Sequence, residues 1–151
     1  MEREPDIDVA VEVGELVLAR TTPVGLNELA AVFAGGFLGA LVRAALEQWL
    51  GAAPGSWPWA TFAVNLGASA LLGYLLALLG ERHPRTMYAR AFLATGLCGA
   101  LSTFSTLVIE LIRLGERAGW GLACGYGAAS VAGGLVCVAA GVGLAERRAG
   151  R

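Results

Sequence analysis

The sequence predicts an all-α membrane protein with four transmembrane helices. Hydrophobic residues make up 56% of the 151-residue chain, and the mean hydropathy is +0.64. A soluble domain of this size needs less apolar surface than this to fill one core. Stretches nearly free of charge, each close to the ~20 residues that cross the hydrocarbon core of a bilayer as a helix, account for the excess. They cover residues 29–50, 59–79, 91–112 and 122–144.

Little of the chain lies outside the membrane domain, which we place at residues 26–146. We expect residues 1–25 to form an acidic, disordered cytoplasmic tail and residues 147–151 a short basic tail. No remaining segment is long enough for a separate catalytic or nucleic-acid-binding domain. His83 is the only histidine and lies in a connection, and the sequence shows no cluster of metal ligands. We therefore predict that the chain is not an enzyme.

The connections between the spans have local support. Proline and glycine residues within 54–58 interrupt the chain after the first span, and Trp57 and Trp59 suit the aromatic belt at a membrane interface. The second and third connections, at residues 80–85 and 113–119, contain charged side chains. Each of these features predicts the end of one span and the start of the next.

The first span carries small and charged residues on one face. Gly35, Gly39, Arg43 and Glu47 are spaced by four, so they follow one gently rotating side of a helix. One interpretation is a small-residue packing contact that ends in an arginine reaching the headgroups. The other, which we favour because the face is lined by glycine, is an arginine that looks into an aqueous vestibule and attracts an anion.

The second span has a polar stripe of Thr61, Asn65, Ser69 and Gly73, again spaced by four. Threonine and serine can bond the carbonyl one turn back on their own helix. The asparagine amide has two donors and an acceptor, which need an interhelical, aqueous or ligand partner. The sequence leaves open which of these partners Asn65 has.

The third span contains a dense small and polar cluster at residues 96–106, close to the expected midplane of the bilayer. Two glycines and a run of serine and threonine weaken a regular helix, so we predict a break in the middle of this span. Carbonyl groups freed by the break could bind a cation. Glu110 lies near the end of the span, where a carboxylate is either interfacial or held by a partner.

The fourth span places Tyr126, Ser130 and Gly134 on one face. With this face, every span carries a stripe of small or polar residues. That pattern is typical of helices that surround a narrow hydrophilic path.

Several of these segments together resemble the CrcB/Fluc family of fluoride channels. The similar segments are residues 35–43, residues 61–65, residues 96–110 with their Ser-Thr-Phe-Ser-Thr core, and residues 126–130. The resemblance covers about residues 29–144. It implies a fluoride-selective passive channel, built as an antiparallel dimer. It also implies that the channel lies in the cell (plasma) membrane, which in bacteria is the inner membrane. Such a channel exports fluoride from the cytoplasm and reduces its toxicity.

The resemblance also implies a set of site residues. Hydrogen-bond donors and positive aromatic edges can replace the water that fluoride holds tightly. The pore residues it implies are Asn65, Phe104, Thr106, Leu107, Ser130 and Tyr126. Arg43 and Glu110 would have vestibule or regulatory positions. Backbone carbonyls of Gly99 and Ser102 from both subunits would hold a structural Na⁺ at the dimer axis.

The chain departs from the family pattern at a few positions. Leu107 stands where the family usually has a second pore phenylalanine. Ala68 and Ala70 replace the usual glycine and phenylalanine beside Ser69. Ser102 replaces the usual threonine, a change that leaves a backbone carbonyl contact possible.

A proton-coupled small multidrug exporter is the alternative, because it is also a short four-helix dimer. Such an exporter needs a carboxylate near the middle of its first helix, and Glu47 lies near the end of this one. A purely structural subunit would not require a cluster of serine, threonine and phenylalanine at mid-depth. The sequence therefore favours the channel over both.

The distribution of arginine predicts the orientation of the chain. Two arginines, Arg113 and Arg117, belong to one side of the membrane, with Arg43 closest to it. The other side has eight: Arg3, Arg20, Arg82, Arg85, Arg90, Arg147, Arg148 and Arg151. Because arginine-rich short segments stay in the cytoplasm, we expect cytoplasmic termini and one main orientation. The second subunit is then either the same chain or an oppositely oriented paralogue, and this bias favours the paralogue.

Overall fold

The computed structural model describes residues 24–50, 55–79 and 86–150. Its elements are α1 (Leu26–Trp49), α2 (Trp59–Leu79), α3 (Met87–Arg90), a π-helical segment (Ala91–Cys98), α4 (Gly99–Leu101), α5 (Phe104–Ala118) and α6 (Trp120–Ala149). Helices α1 and α2, the stretch from α3 to α5, and helix α6 are each long and apolar enough to cross a membrane. The prediction of an all-α protein with four membrane-spanning helices is confirmed.

The third predicted connection, at residues 113–119, is helical along most of its length. Helix α5 continues through Ala118, so that only Gly119 separates it from α6. Three charged residues in this segment, Arg113, Glu116 and Arg117, are exposed. Arginine and glutamate have a high helix propensity, so the helix continues although the sequence becomes polar. Gly119 makes the turn with a φ of 104°, which a residue without a Cβ adopts at little cost.

Apart from the segment at residues 113–119, the helices follow the predicted spans closely. Helix α6 extends through Ala149, so the first residues of the predicted basic tail are helical. The predicted acidic tail lies outside the described residues, except for Val24 and Gly25. The second connection, at residues 80–85, also lies outside them.

Glycines bring the helices together in two pairs. Helix α2 packs along α6, and α1 packs along the π-helical segment and α4. A Cβ at Gly39 would overlap the carbonyl oxygen of Leu97, and one at Gly73 would overlap that of Val138. Close backbone approach through small residues is the usual way in which membrane helices pack, as the abundance of glycine predicts.

Large apolar side chains cover the outside of the described structure. They include Phe33 and Phe37 on α1, Phe104 at the start of α5, and Leu135 and Val136 on α6. Exposed apolar surface of this extent suits lipid or another membrane subunit rather than water.

Candidate functional site

Extended backbone separates α4 from α5. Ser102 has φ and ψ of −74° and 147°, and Thr103 has −140° and 118°. The side chain of Thr103 caps α5, because its Oγ1 accepts from the N–H of Thr106 at 3.2 Å. The serine and threonine residues of this segment thus end one helix and begin the next.

Asn65 on α2 supports the extended residues from the side. Its Oδ1 accepts from the N–H of Thr103 at 2.8 Å, and its Nδ2 donates to the carbonyl of Thr103 at 3.2 Å. Thr103 is buried, so water gives its backbone little alternative. The amide that the sequence singles out therefore has an interhelical partner in this structure.

These hydrogen bonds release backbone carbonyls at the end of α4. In a continuous helix, the N–H of Thr103 would bond the carbonyl of Gly99, and that of Thr106 would bond the carbonyl of Ser102. Here the two N–H groups donate to the side chains of Asn65 and Thr103 instead. The carbonyls of Gly99 and Ser102 thereby lose the partners that a helix would give them, and both residues are exposed.

Arg43 joins α1 to the same helix end. Its Nε donates to the carbonyl of Ala100 at 3.1 Å, and its Nη1 lies 3.5 Å from Glu47 Oε1. The side chain is only partly exposed. A cation beside the last carbonyls of a helix also offsets their partial negative charge.

A groove of about 180 Å³ lies beside the interruption. Its walls are formed by Asn65, Ser69, Ser102, Thr103, Phe104 and Leu107. Phe104 is 77% exposed, whereas Leu107 is 7% exposed and belongs to the buried core cluster. Thr103 Oγ1 lies 3.1 Å from Thr106 Oγ1 and 3.2 Å from Ser105 Oγ, so hydroxyl groups are concentrated next to the groove.

A second polar cluster surrounds the carboxylate of Glu110. Thr61 Oγ1 donates to one carboxylate oxygen at 2.7 Å, and the hydroxyl of Tyr126 donates to the other, also at 2.7 Å. Thr61 and Tyr126 are both fully buried. Ser130 donates to the carbonyl of Tyr126 at 2.8 Å, one turn back on α6. Glu110 is therefore held by partners on α2 and α6 and does not project freely into the interface.

The structure brings the predicted site residues together in three places. Asn65, Ser102, Phe104 and Leu107 line the groove. Tyr126 and Glu110 are bonded to each other, and Ser130 is bonded to the backbone of Tyr126. Thr106 lies among the hydroxyl groups beside the groove. Gly99 begins α4, and Arg43 bonds a carbonyl of the same short helix.

The sequence did not single out Thr61 and Thr103 as site residues. Both stood within patterns that it did recognise, the polar stripe of the second span and the cluster of the third. Their partners lie on other helices, so spacing alone gave no signal for their particular contacts.

The fold and these two clusters define a small multi-pass membrane protein with polar groups gathered around an interrupted span. Ionisable and polar residues at membrane depth mark ion or substrate pathways, so this arrangement points to a transporter or channel. The chain belongs to the CrcB family, described as "CrcB-like protein, Camphor Resistance (CrcB)", whose profile matches residues 30–142.

Curated relatives extend this comparison. The chain is 51% identical over 112 residues to "Fluoride-specific ion channel FluC 1" of Mycolicibacterium paratuberculosis, covering 74% of this chain and 85% of the relative. It is 38% identical over 120 residues to "Fluoride-specific ion channel FluC" of Chloroflexus aurantiacus, covering 79% and 95%. It is 38% identical over 128 residues to "Fluoride-specific ion channel FluC 2" of Nocardia farcinica, covering 85% and 91%.

These comparisons confirm the family resemblance found in the sequence. They also confirm the prediction of a multi-pass membrane protein, together with the four apolar helices. The prediction that the chain is not an enzyme agrees with a family whose relatives are named as ion channels.

Proposed function

We propose that the chain is one subunit of a fluoride-selective passive channel that exports fluoride from the cytoplasm and reduces its toxicity. The observation that carries this proposal is the interrupted third span, bonded to Asn65 and bordered by a groove of hydroxyl groups and an exposed phenyl ring. It occurs in a chain similar throughout its membrane domain to proteins named fluoride-specific ion channels.

The interruption gives the two helix ends opposite partial charges. Carbonyl groups at the end of α4 carry partial negative charge, and N–H groups at the start of α5 carry partial positive charge. The groove reaches the start of α5, where Thr103 and Phe104 form part of its wall. An anion is stabilised at that helix start, and a cation is stabilised at the end of α4.

Fluoride also needs replacement of its tightly held water. The hydroxyl of Thr106 and the positive edge of the Phe104 ring supply donors of the required kind beside the groove. Leu107 contributes an apolar wall where the family usually has a second aromatic ring. Ser130 and Tyr126 continue the path, with Ser130 exchanging its carbonyl partner for the ion by rotation of its hydroxyl.

Arg43 and Glu110 have supporting positions in this proposal. Arg43 holds the end of α4 to α1, and its partly exposed charge attracts anions into the vestibule. Glu110 receives hydroxyl hydrogen bonds from Thr61 and Tyr126, which offset its negative charge beside the path.

A structural Na⁺ belongs to the same proposal. The donor set fits this ion, because hard cations prefer oxygen ligands and the Gly99 and Ser102 carbonyls have lost their helical N–H partners. Carbonyls of these residues from two subunits would hold the ion at the dimer axis. Bound there, the ion would offset the partial negative charge of the α4 ends and join the subunits.

The second subunit completes the groove. Phe104 is the most exposed aromatic side chain beside it, and the described part of one subunit does not enclose the ring. An antiparallel partner, either the same chain or an oppositely oriented paralogue, would cover this face within the lipid bilayer. The partner would also bring its own α4 end to the axis.

The alternative, a proton-coupled exporter, loses support from the position of Glu47. This carboxylate lies close to the end of α1 and pairs with Arg43 at 3.5 Å, so it is not at mid-span, where an exporter needs it. A passive channel moves the charge of fluoride across the membrane, whereas a proton-coupled exporter depends on a proton gradient.

The test uses purified protein in liposomes that hold fluoride and K⁺ at equal pH on both sides. A passive channel moves charge, so fluoride should leave only after valinomycin lets K⁺ follow. Efflux that requires a pH gradient and ignores valinomycin would overturn the channel and support the exporter. Protein-free liposomes give the background leak.

A further inference from the structure

Trp57 has a buried donor that the mechanism above does not use. The residue precedes α2, and its indole ring packs almost perpendicular to the rings of Tyr126 (5.3 Å between centroids, 84°) and Phe62 (5.6 Å, 80°). It also contacts the buried core cluster that contains Leu107 and Tyr126. Within residues 24–50, 55–79 and 86–150, its Nε1 is buried and has no hydrogen-bond partner.

An unpaired buried donor of this kind requires an explanation. Burying an N–H without a partner is unfavourable, and most buried donors in folded proteins are paired with protein, water or an ion. The indole N–H of tryptophan only donates, so its missing partner is an acceptor.

The position of Trp57 connects this donor to the Glu110 cluster. Tyr126, on which the indole packs, donates to Glu110, and Glu110 also accepts from Thr61. Gly55, two residues before Trp57, approaches Arg117 near the end of α5, so the indole lies on the side of the bundle where α5 ends. Because Tyr126 and Glu110 belong to the proposed fluoride path, we take that side as one mouth of the path.

We infer that the indole N–H of Trp57 is a fluoride-binding donor at this mouth of the path. The inference rests on the proposed function and adds a residue to it. Fluoride is the smallest halide and the strongest hydrogen-bond acceptor among them, so a buried donor among packed rings favours it over chloride. A neutral donor also binds an ion weakly enough to let it pass on, as conduction requires.

A contact of the N–H with the face of the Tyr126 ring is the competing account. The nearly perpendicular rings permit it, and such contacts are weak substitutes for a hydrogen bond. In that case the donor would not respond to halide. The two accounts therefore differ in a direct observable, the magnetic environment of the indole proton.

The experiment is a halide titration of the ¹⁵N-labelled full chain in lipid nanodiscs, read at the tryptophan indole resonances. The four signals are assigned with single Trp→Phe variants, and assignment by elimination through Trp49, Trp59 and Trp120 serves if Trp57→Phe does not fold. The expected result is a saturable shift of the Trp57 signal with fluoride and none with chloride. A Trp57 signal that ignores fluoride would overturn the inference.

Flux gives the second measurement. Trp57→Phe keeps an aromatic ring and removes the donor, so fluoride efflux should fall about tenfold, the effect of losing one hydrogen bond. Trp59→Phe is the matched control, because Trp59 is 65% exposed and its ring lies 5.8 Å from that of Trp57. Its efflux should equal that of the wild type. Efflux through a folded Trp57→Phe protein equal to the wild type would also overturn the inference.

These experiments can refute the role of Trp57 without refuting the proposed channel function. Wild-type protein that passes fluoride while its Trp57 signal ignores the ion refutes only the donor. Wild-type protein that does not pass fluoride refutes the channel, whatever the titration shows.

Discussion

Asn65 and Thr103 are joined by two hydrogen bonds that link the middle of α2 to the interruption of the third span. The amide of Asn65 takes the place of the helical partners that the backbone of Thr103 would otherwise have. This contact directs the N–H of Thr103 away from the carbonyl of Gly99. The same asparagine therefore fixes the start of α5 and frees an oxygen at the end of α4.

Replacing Asn65 by leucine should impair both folding stability and flux. The variant leaves the buried N–H and carbonyl of Thr103 without partners, which costs about 1–3 kcal/mol for each unpaired group. Thermal unfolding of the protein in detergent measures the first effect, and fluoride efflux from liposomes measures the second. The family resemblance implies an amide that serves the ion, in which case efflux would be lost with stability unchanged.

Ser69→Ala is the matched control for this stability measurement. Ser69 lies one turn further along the same face of α2 and lines the same groove, but it is not a partner of Thr103. The variant should keep the wild-type unfolding temperature. An equal loss of stability in both variants would contradict the role assigned to Asn65.

Gly39→Ala should prevent α1 from packing on the third span. The added Cβ would overlap the carbonyl oxygen of Leu97, and backbone in contact with backbone has little room to relax. We expect loss of a monodisperse folded species on size-exclusion chromatography. Gly36→Ala, on the same helix, is the control, because its Cβ would meet nothing closer than 3.9 Å. Normal assembly of Gly39→Ala would show that α1 is packed differently.

Removal of Na⁺ should lower the thermal stability of the assembled protein and slow fluoride efflux. The proposed ion offsets the partial negative charge of carbonyls at Gly99 and Ser102, so replacing it with a large organic cation should lower the unfolding temperature and slow efflux. Titration of Na⁺ back into the sample should restore both. Equal unfolding temperatures in Na⁺ and in N-methylglucamine at the same ionic strength would count against the sodium site.

The arginine distribution predicts that the termini face the cytoplasm in most molecules. An engineered cysteine at residue 150, in a background with the three native cysteines replaced, can be labelled in intact cells by a reagent that does not cross the membrane. We expect labelling only after the cells are opened. Equal populations facing each side would refute the fixed orientation, and the partner would then be the same chain.

The fold was predictable from the sequence because hydrophobic length is a local property. The spans at residues 29–50 and 59–79 lie within a few residues of α1 and α2. The end of α5 was not predictable, because the charged residues after Ile112 suit water and also have a high helix propensity. A charged segment can therefore leave the apolar span and still remain helical.

The sequence identified residues that the structure brings together, but it did not predict the contacts between them. The four-residue stripe identified Asn65, but its bonds to Thr103 join residues 38 positions apart and depend on how α2 meets the third span. Trp57 shows the same limit. Its sequence position suggested an interfacial belt, whereas tertiary packing buries its nitrogen against Tyr126.

The most direct test of the central claim, a fluoride-selective path, is efflux from matched liposomes that contain the same amount of protein and either fluoride or chloride. Valinomycin starts both measurements, and ion-selective electrodes follow the release. The path described here replaces the water of a small, strong acceptor, so fluoride should leave the vesicles while chloride is retained at the level of protein-free controls. Release of chloride at the same rate as fluoride would contradict the claim.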